Sequence, residues 1–324
     1  MSGPTANEII SFETQVLVPI IVAELGAAAY DKTTGAFSAA GWKRLRELHR
    51  TYNPQGEPDT MTDTQIAHSC STFEQIATAG TVLRAQVGSG LHGVTTGADD
   101  RDEMGICIEP PEYVIGLAQF EQYQWRSQPE GVRSGPGDLD LVIYSLRKWA
   151  RLAAQGNPTV LLLLFVPDAE IVTRTDIGAD LQAHPERFLS RQVAARFGGY
   201  LKSQQNQLLG LKAKKHTNRP ELVDAYGFDT KFAYHMIRLG LQGVELLTTG
   251  RITLPIPEPD RAWLTELRNG EHTKQEALDR ADALLDQLNT LAKTADLPAR
   301  PDRVALDQWL TDTYMQSWTE RGLL

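Results

Sequence analysis

The sequence predicts an α/β fold in which a strand-containing core lies between helical segments. Two short β-rich stretches, residues 81–87 and 104–108, enclose a glycine-rich segment, and the apolar run at 159–166 is typical of a buried strand. Apolar residues recur at helical spacing early in the chain and again from about residue 185 onward. We therefore divide the chain into a helical N-terminal extension (1–72), a strand-containing domain (73–184) and a helical C-terminal domain (185–324).

Each part follows from local patterns. In the extension, residues 7–30 and 39–52 have helical periodicity, and Pro19 is expected to kink or divide the first helix. In the core, residues 138–155 show a helical pattern that Gly156-Asn157-Pro158 ends. The C-terminal helices are expected to break at 218–220, 254–259 and 298–301, where prolines cluster.

Composition indicates an ordinary globular chain. Of 324 residues, 41% are hydrophobic and 23% are charged, and the net charge of −9 means that a polyanionic partner needs a local basic patch. The two cysteines, Cys70 and Cys107, form no CxxC motif, which favours a reducing, cytoplasmic setting. We expect no signal peptide, because the N-terminus lacks a basic region, and no membrane span, which needs about 20 apolar residues.

The chemistry is concentrated between residues 88 and 105. Gly88-Ser89-Gly90-Leu91-His92-Gly93 follows a strand, and such a turn lets backbone N–H groups and a serine hydroxyl approach a phosphate. Asp100 and Asp102 lie two residues apart, so in an extended chain they share one face and can hold Mg²⁺ or Mn²⁺ through oxygen. A phosphate cradle beside a metal site is what phosphoryl transfer requires.

Three other interpretations compete. The glycine turn literally fits the G-x-G-x-x-G dinucleotide motif of an oxidoreductase, but residues 95–100 break the following helix too soon. The acidic run resembles a calcium loop, yet Pro111 stands where an EF-hand needs glutamate and Met104 occupies another ligand position. The acidic run could also be a solvated surface turn, against which the preceding glycine turn argues.

The segment resembles the signature of the DNA polymerase β superfamily, and more closely the RlaP-type group associated with RNA repair and its phage relatives. The matching residues are Gly88, Ser89, His92, Gly93, Asp100, Asp102 and Gly105. The likeness covers roughly residues 80–285, although many relatives place an acidic residue where this chain has four leucines at 161–164. It implies a polymerase β-type palm and Mg²⁺-dependent transfer of a nucleoside monophosphate from an NTP to a hydroxyl acceptor.

The resemblance also implies a third carboxylate, for which Asp140 is the first choice and Asp138 the second. Either aspartate could instead cap the helix that is expected to follow. His92 is a candidate contact for phosphate or acceptor, or a structural histidine under the turn. Arg101 is expected to face away from the two aspartates that flank it.

Lys231, His235 and Arg238 have spacings of four and three residues, which place them on one face of a helix. We predict that this face binds the triphosphate or the substrate. The alternative is a solvated face whose charges pair with Asp224, Asp229 or Glu245.

A basic segment supplies the predicted contact with an RNA acceptor. Residues 191–219 contain seven Lys or Arg and no Asp or Glu. They are Arg191, Arg196, Lys202, Lys212, Lys214, Lys215 and Arg219. The alternatives are a solvated basic helix, an enzyme that modifies a protein or small molecule, and a non-catalytic nucleotide-binding module. The oligomeric state is not predicted.

Overall fold

The computed structural model describes residues 68–95, 101–128, 132, 134–135, 137–211 and 219–324, together with 18–25, 30–31, 36–37 and 44. The chain divides into two compact units, Met1–Met61 and Thr62–Leu324. In the first, Val18–Leu25 is helical and Tyr30–Asp31 pairs antiparallel with Ala36–Phe37. Pro19 lies near the start of this helical segment, and residues 7–17, which would show whether it divides the predicted helix, lie outside the described residues. The predicted helix at 39–52 lies outside the described residues except for residue 44.

A five-stranded mixed sheet forms the centre of the second unit. Its strands are β1 (Thr81–Val87), β2 (Arg101–Cys107), β3 (Gln122–Arg126), β4 (Leu139–Ser145) and β5 (Ile171–Arg174). The order across the sheet is β3-β4-β2-β1-β5. The β2–β4 pair is parallel and the other three pairs are antiparallel. The prediction of an α/β core with a strand at 81–87 is confirmed.

Helices surround this sheet and form the rest of the unit. They are α1 (Ser71–Gly80), α2 (Ser89–His92), α3 (Leu146–Ala154), α4 (Pro158–Leu161), α5 (Asp176–Ala183), α6 (Gln192–Leu208), α7 (Pro220–Tyr226), α8 (Thr230–Thr249), α9 (Asp260–Arg268), α10 (Lys274–Thr294) and α11 (Arg303–Glu320). Short 3₁₀ turns occupy Pro111–Tyr113, Leu162–Leu164, Asp168–Glu170 and Pro185–Arg187. Among the described helices, none has an apolar stretch long enough to cross a bilayer.

Two sequence-based assignments in the core are wrong. Residues 139–145 are strand β4, because β3 and β2 hydrogen-bond to both of its edges; only after Ser145, whose side chain accepts from Lys148 N, does helix α3 begin. Residues 159–164 are helical rather than extended. Asn157 caps this helix through its side-chain oxygen and Pro158 occupies its first position, so local start signals outweigh the apolar run.

Close packing at glycines fixes the position of helix α8 among the C-terminal helices. A Cβ atom added at Gly240 would lie 2.8 Å from Leu284 Cβ on α10, and one added at Gly243 would lie 2.8 Å from Phe197 Cβ on α6. Any side chain here would push the helices apart. The face of α8 that carries these glycines is therefore locked against its neighbours.

The last helix, α11, is tied to the end of strand β2. Tyr314 donates its hydroxyl proton to Glu109 Oε2 at 2.8 Å, and Trp318 Nε1 donates to the Glu109 carbonyl oxygen at 2.8 Å. Arg321 donates to the Ile108 carbonyl oxygen at 2.8 Å. Glu109 is fully buried, and this burial raises the pKa of its carboxyl to about 7, although the hydrogen bond from Tyr314 opposes the rise.

We expect Glu109 to make the stability of the fold fall as pH rises. In the unfolded chain the carboxyl ionises near its ordinary value of 4.5, whereas the folded protein holds the proton up to about pH 7. The contribution of Glu109 to the free energy of unfolding is therefore greatest below pH 4.5. It is lost as the pH rises from 4.5 to 7, and the loss is about 3 kcal/mol. Glu109→Gln should flatten this part of a denaturant-unfolding profile and stabilise the protein at pH 8.

The matched control is Glu112→Gln, which changes an exposed glutamate in the same segment. It should leave the profile unchanged. A wild-type stability that is constant between pH 5 and 8, or an equal response of the two variants, would contradict the expectation.

Candidate functional site

The glycine turn forms a tight connection after strand β1. Gly88 has φ 88° and ψ −158°, a conformation essentially restricted to glycine, and Gly93 has φ 73° in the left-handed region. Between them α2 is only four residues long and begins at Ser89. Because α2 is so short and β1 and β2 are antiparallel, the segment is not a strand–helix–strand dinucleotide unit.

Asp102 lies directly against this turn. A Cβ atom added at Gly88 would lie 2.4 Å from Asp102 Oδ2, so the absence of a side chain at Gly88 makes room for the carboxylate. The structure thus brings Asp102 and Ser89 to the same place, as predicted. Asp100, its expected companion, lies outside the described residues.

Asp140 stands beside Asp102 across the parallel β2–β4 pair. The two residues are in register, so their side chains leave the same face of the sheet. Asp140 accepts hydrogen bonds from Arg126 Nε at 2.8 Å, Ser134 Oγ at 2.9 Å and Gln128 Nε2 at 3.1 Å. It therefore does not cap a helix.

Asp138, the second choice for the third carboxylate, organises the preceding turn. Its carboxylate accepts from the Gly135 backbone N–H and from Ser127 Oγ, both at 2.9 Å. These hydrogen bonds, the backbone one foremost, lower the pKa of Asp138. The Asp138 side chain thus serves the turn, and Asp140 is the aspartate that lines the cavity described below.

The carboxylates of Asp102 and Asp140 are chemically suitable ligands for a hard divalent cation. Asp102 and Asp140 present oxygen ligands on adjacent strands, which is the donor type that Mg²⁺ and Mn²⁺ prefer. No third His, Cys, Asp or Glu completes such a cluster within the described part of the chain. Asp100 belongs to the segment that precedes β2 and is not described.

Arg101 faces away from Asp102, as predicted. Its guanidinium forms an ion pair with Glu103 at 2.6 Å, and Arg84 pairs with the same carboxylate. Glu103 is buried beneath these two arginines. The Glu103 carboxylate therefore pairs with two arginines and is not available as a metal ligand.

A cavity of about 410 Å³ lies between the sheet and the C-terminal helices. The sheet and the glycine turn contribute Gly88, Ser89, His92, Asp102, Met104, Asp140, Val142 and Tyr144. The segment after α3 contributes Pro158, Thr159 and Leu162, and helices α8 and α9 contribute Lys231, Tyr234, His235, Arg238 and Arg268. Gly93 does not line it; its role is to end α2.

His92 connects the glycine turn to helix α8. It is buried, Arg238 donates to its Nε2 atom at 3.0 Å, and Gln242 Nε2 lies 3.2 Å from its Nδ1 atom. Because arginine has no acceptor, Nε2 must be unprotonated for this contact. Burial, followed by the charge of Arg238, holds the pKa of His92 well below its usual value, so the ring is neutral at pH 7. These contacts give His92 a structural role, and a contact with phosphate or acceptor stays a prediction because the residue also lines the cavity.

The predicted cationic face of α8 reaches the cavity. Lys231, His235 and Arg238 all line it. Of the residues named as alternative partners, Asp229 caps α8 and pairs with Arg219 at 3.0 Å, and Glu245 accepts from the Thr253 N–H. Burial, reinforced by the charge of Arg238, keeps the pKa of His235 well below its usual value. The Nε atom of Arg238 is buried and has no hydrogen-bond partner among the described residues.

Arg268 is a cavity residue that sequence reasoning missed. It lies in the last turn of α9, and its guanidinium carbon is 5.2 Å from the centre of the Tyr234 ring. The guanidinium carbon of Arg238 lies 6.0 Å from the same ring centre. These are cation–π distances. Nothing in the local sequence marks Arg268, because it reaches the cavity only through the packing of α9 on α8.

The basic segment is only partly described. Arg191 and Arg196 donate to the carbonyl oxygens of Lys293 and Gln155, and Arg219 pairs with Asp229. Lys202 is exposed on α6, two residues after Tyr200, whose hydroxyl accepts from Asn157 Nδ2 at 3.3 Å next to the cavity residue Pro158. Lys212, Lys214 and Lys215 lie outside the described residues.

Comparison with known proteins gives a family match over most of the chain. Residues 63–312 match the family described as RlaP, RNA repair pathway DNA polymerase beta family. An uncharacterized 38.9 kDa protein from the nrdC-mobD intergenic region of Enterobacteria phage T4 is 25% identical over 138 residues. That alignment spans 42% of this chain and 40% of the phage protein, so the chain matches less than half of that relative's length.

Two solved structures also match part of the chain. A nucleotidyltransferase-like protein from Exiguobacterium sibiricum 255-15 is 14% identical, with a TM-score of 0.25, over 68% of this chain and 71% of its own. Spectinomycin adenyltransferase AAD(9) from Enterococcus faecialis, solved with ATP and spectinomycin, is 13% identical, with a TM-score of 0.33, over 66% and 94%. These TM-scores are too low for a residue-by-residue comparison.

We predict that Gly88→Ala displaces Asp102 and weakens cation binding. The new Cβ would collide with Oδ2, and the backbone conformation at Gly88 is strained for any other residue, by roughly 1–3 kcal/mol. Mn²⁺ binding should fall at least about tenfold, as is usual when the surroundings of a metal ligand are disturbed. Electron paramagnetic resonance of free Mn²⁺ and thermal unfolding measure the two effects.

Gly210→Ala is the control, because Gly210 also has a positive φ but a Cβ there would meet nothing within 4 Å. It should lower thermal stability and leave Mn²⁺ binding intact. Wild-type Mn²⁺ affinity in Gly88→Ala would show that Asp102 does not hold the cation.

Proposed function

Because the chain belongs to the RlaP family of DNA polymerase β-type nucleotidyltransferases, we propose that it transfers a nucleoside monophosphate from an NTP to a hydroxyl group of RNA. The acceptor oxygen would form a bond to the α-phosphorus. The bond between that phosphorus and the bridging oxygen would break, pyrophosphate would leave, and the hydroxyl proton would be released. The proposed setting is the cytoplasm.

One observation carries the proposal: two carboxylates and three cationic side chains face the same cavity from opposite walls. Asp102 and Asp140 come from the sheet, and Lys231, Arg238 and Arg268 come from the helices. A triphosphate held with a divalent cation needs both kinds of group, anionic ligands for the metal and cationic ones for the phosphates.

The roles follow from this division of charge. We assign Asp102 and Asp140, together with Asp100, to a Mg²⁺ or Mn²⁺ site, where the cation would neutralise phosphate charge and favour loss of the hydroxyl proton. Ser89 and the N–H groups of the glycine turn would donate to phosphate oxygens, and Gly93 would end that turn. Arg238, held by His92, has a spare buried N–H for the triphosphate.

His235 would contact the triphosphate as a neutral ring. Its lowered pKa means that it adds no charge at pH 7, so its contribution would be a single N–H hydrogen bond. Lys231 and Arg268 would supply the remaining charge. In this assignment the lysine and arginines supply positive charge, whereas the histidines act as neutral rings.

An apolar wall next to the carboxylates fits a nucleoside. Met104, Val142 and Tyr144 continue along the strands from Asp102 and Asp140 at two-residue steps, so they share the same face of the sheet. A nucleobase has two apolar faces that pack well on such side chains. The cavity therefore suits a ligand that is anionic at one end and flat and apolar at the other.

The RNA acceptor is supported by the family's description and by the basic segment. Lys202 is exposed on α6, the helix whose Tyr200 hydroxyl accepts from Asn157, the neighbour of the cavity residue Pro158. Together with Lys212, Lys214 and Lys215, it would follow a phosphate backbone toward the site. A chain with a net charge of −9 needs such a local patch to bind RNA.

Pyrophosphate release tests the proposed reaction. We expect release with Mg²⁺ and at least one NTP, increased by RNA, and a fall of on the order of 100-fold in Asp102→Asn, because metal ligands supply several kcal/mol of charge stabilisation. Asp312→Asn, which changes an exposed aspartate on α11, should behave as wild type. Equal activity of Asp102→Asn and wild type would refute the catalytic assignment, and nucleotide binding without turnover would indicate a regulatory module.

Charge reversal at Lys202 tests the acceptor. Lys202→Glu should weaken RNA binding and lower the slope of log affinity against log salt by about 1, while NTP binding stays unchanged. Lys274→Glu makes the same change at an exposed position on α10 and should have no effect. Labelled-NTP incubation with RNA, protein or small-molecule acceptors identifies the substrate, and labelling of protein alone would overturn the RNA assignment.

A further inference from the structure

We propose that Arg126, Gln128 and Ser134 form a clamp that orients Asp140 and leaves it one oxygen lone pair for a divalent cation. The proposal rests on the nucleotidyltransferase function, since it gives these residues a positioning role in that reaction. Arg126 is in register with Asp140 on the neighbouring strand β3, so both side chains leave the same face of the sheet. Gln128 and Ser134 follow in the turn between β3 and β4.

The clamp residues hydrogen-bond to one another as well as to Asp140. Arg126 donates through Nε to Asp140 Oδ1 at 2.8 Å and through its Nη2 atom to Ser134 Oγ at 2.9 Å. The two amide protons of Gln128 go to Ser134 Oγ and, at 3.1 Å, to Asp140 Oδ1. The Ser134 hydroxyl proton goes to Asp140 Oδ2 at 2.9 Å. The hydroxyl thus uses its one donor and both acceptor positions.

Counting lone pairs then gives the state of the carboxylate. An ionised carboxylate has about four acceptor positions, two on each oxygen. Arg126 and Gln128 fill both positions of Oδ1, and Ser134 fills one of the two on Oδ2. One position on Oδ2 is left, which suits a cation bound through a single oxygen.

The turn that carries the clamp is itself held by Asp138. Asp138 accepts from the Gly135 N–H and from Ser127 Oγ, and the Leu139 N–H donates to Ser127 Oγ at 2.9 Å. These bonds place Ser134 over Asp140. The two aspartates of this turn therefore divide the work: Asp138 shapes the turn and Asp140 faces the cavity.

Removing the Arg126 guanidinium should lower kcat while leaving the affinity for the metal ion nearly unchanged. A guanidinium beside a metal ligand repels the cation, whereas its hydrogen bonds orient the ligand, so the two effects of its loss on affinity oppose each other. In Arg126→Gln we expect the Kd for Mn²⁺ alone to change less than about threefold. We expect kcat for pyrophosphate release to fall roughly 10- to 100-fold. Arg126→Lys keeps the charge but cannot make the two planar hydrogen bonds of the guanidinium, so its kcat should also fall.

Arg151→Gln is the matched control. Arg151 is an exposed arginine on helix α3, and it pairs with Glu121 at 3.1 Å. It should keep both values. If Arg126→Gln unfolds, Ser134→Ala removes the hydroxyl that donates to Asp140 Oδ2 instead, and kcat is again expected to fall.

Two results would overturn the clamp: turnover of a folded Arg126→Gln within twofold of wild type, or a parallel loss of Mn²⁺ affinity and kcat. Failure of the proposed function looks different. In that case the wild-type protein itself neither binds Mn²⁺ nor releases pyrophosphate, and the clamp falls with it.

Discussion

The parallel pairing of β2 with β4 is the constraint on which the site depends. It places Asp102 in register with Asp140 and sends both carboxylates to one face of the sheet. Two like charges on neighbouring strands repel each other unless something cationic compensates them. Here compensation comes from Arg126 on the next strand and from the cationic side chains of α8 and α9 across the cavity. The register of β2 and β4 thus brings two negative charges together, and the cationic side chains of β3, α8 and α9 balance them.

Glycine lets the turn after β1 lie against this pair of aspartates. Gly88 has no side chain, and that gap is where the Asp102 carboxylate lies. On the opposite side, Gly240 and Gly243 allow α8 to sit close against α6 and α10, which fixes the direction of its cationic face. The same residue type therefore serves both walls of the cavity, through backbone conformation on one side and close helix packing on the other.

Sequence patterns predicted those parts of the site that depend on local geometry. The spacing of Lys231, His235 and Arg238 sufficed to put them on one helix face, and the β-rich composition of residues 81–87 sufficed for β1. The assignments of residues 139–145 and 159–164 were wrong because short apolar runs fit both the helical and the strand periodicity. Pairing with neighbouring strands made residues 139–145 a strand. The Asn157-Pro158 start signal made residues 159–164 helical. Arg268 and the donors around Asp140 could not be predicted, since they meet the site only through tertiary packing. The predicted domain boundaries at 72/73 and 184/185, and the role of Asp100, stay predictions.

The central claim is that the Asp102–Asp140 pair holds a divalent cation against a bound triphosphate. Anomalous X-ray scattering from crystals grown with Mn²⁺ and a non-hydrolysable NTP measures this directly. The account predicts a manganese peak within roughly 2–2.3 Å of a carboxylate oxygen from each aspartate, with the phosphates between it and Arg238. A triphosphate bound in the cavity with no manganese at this pair, or manganese bound elsewhere, would contradict it.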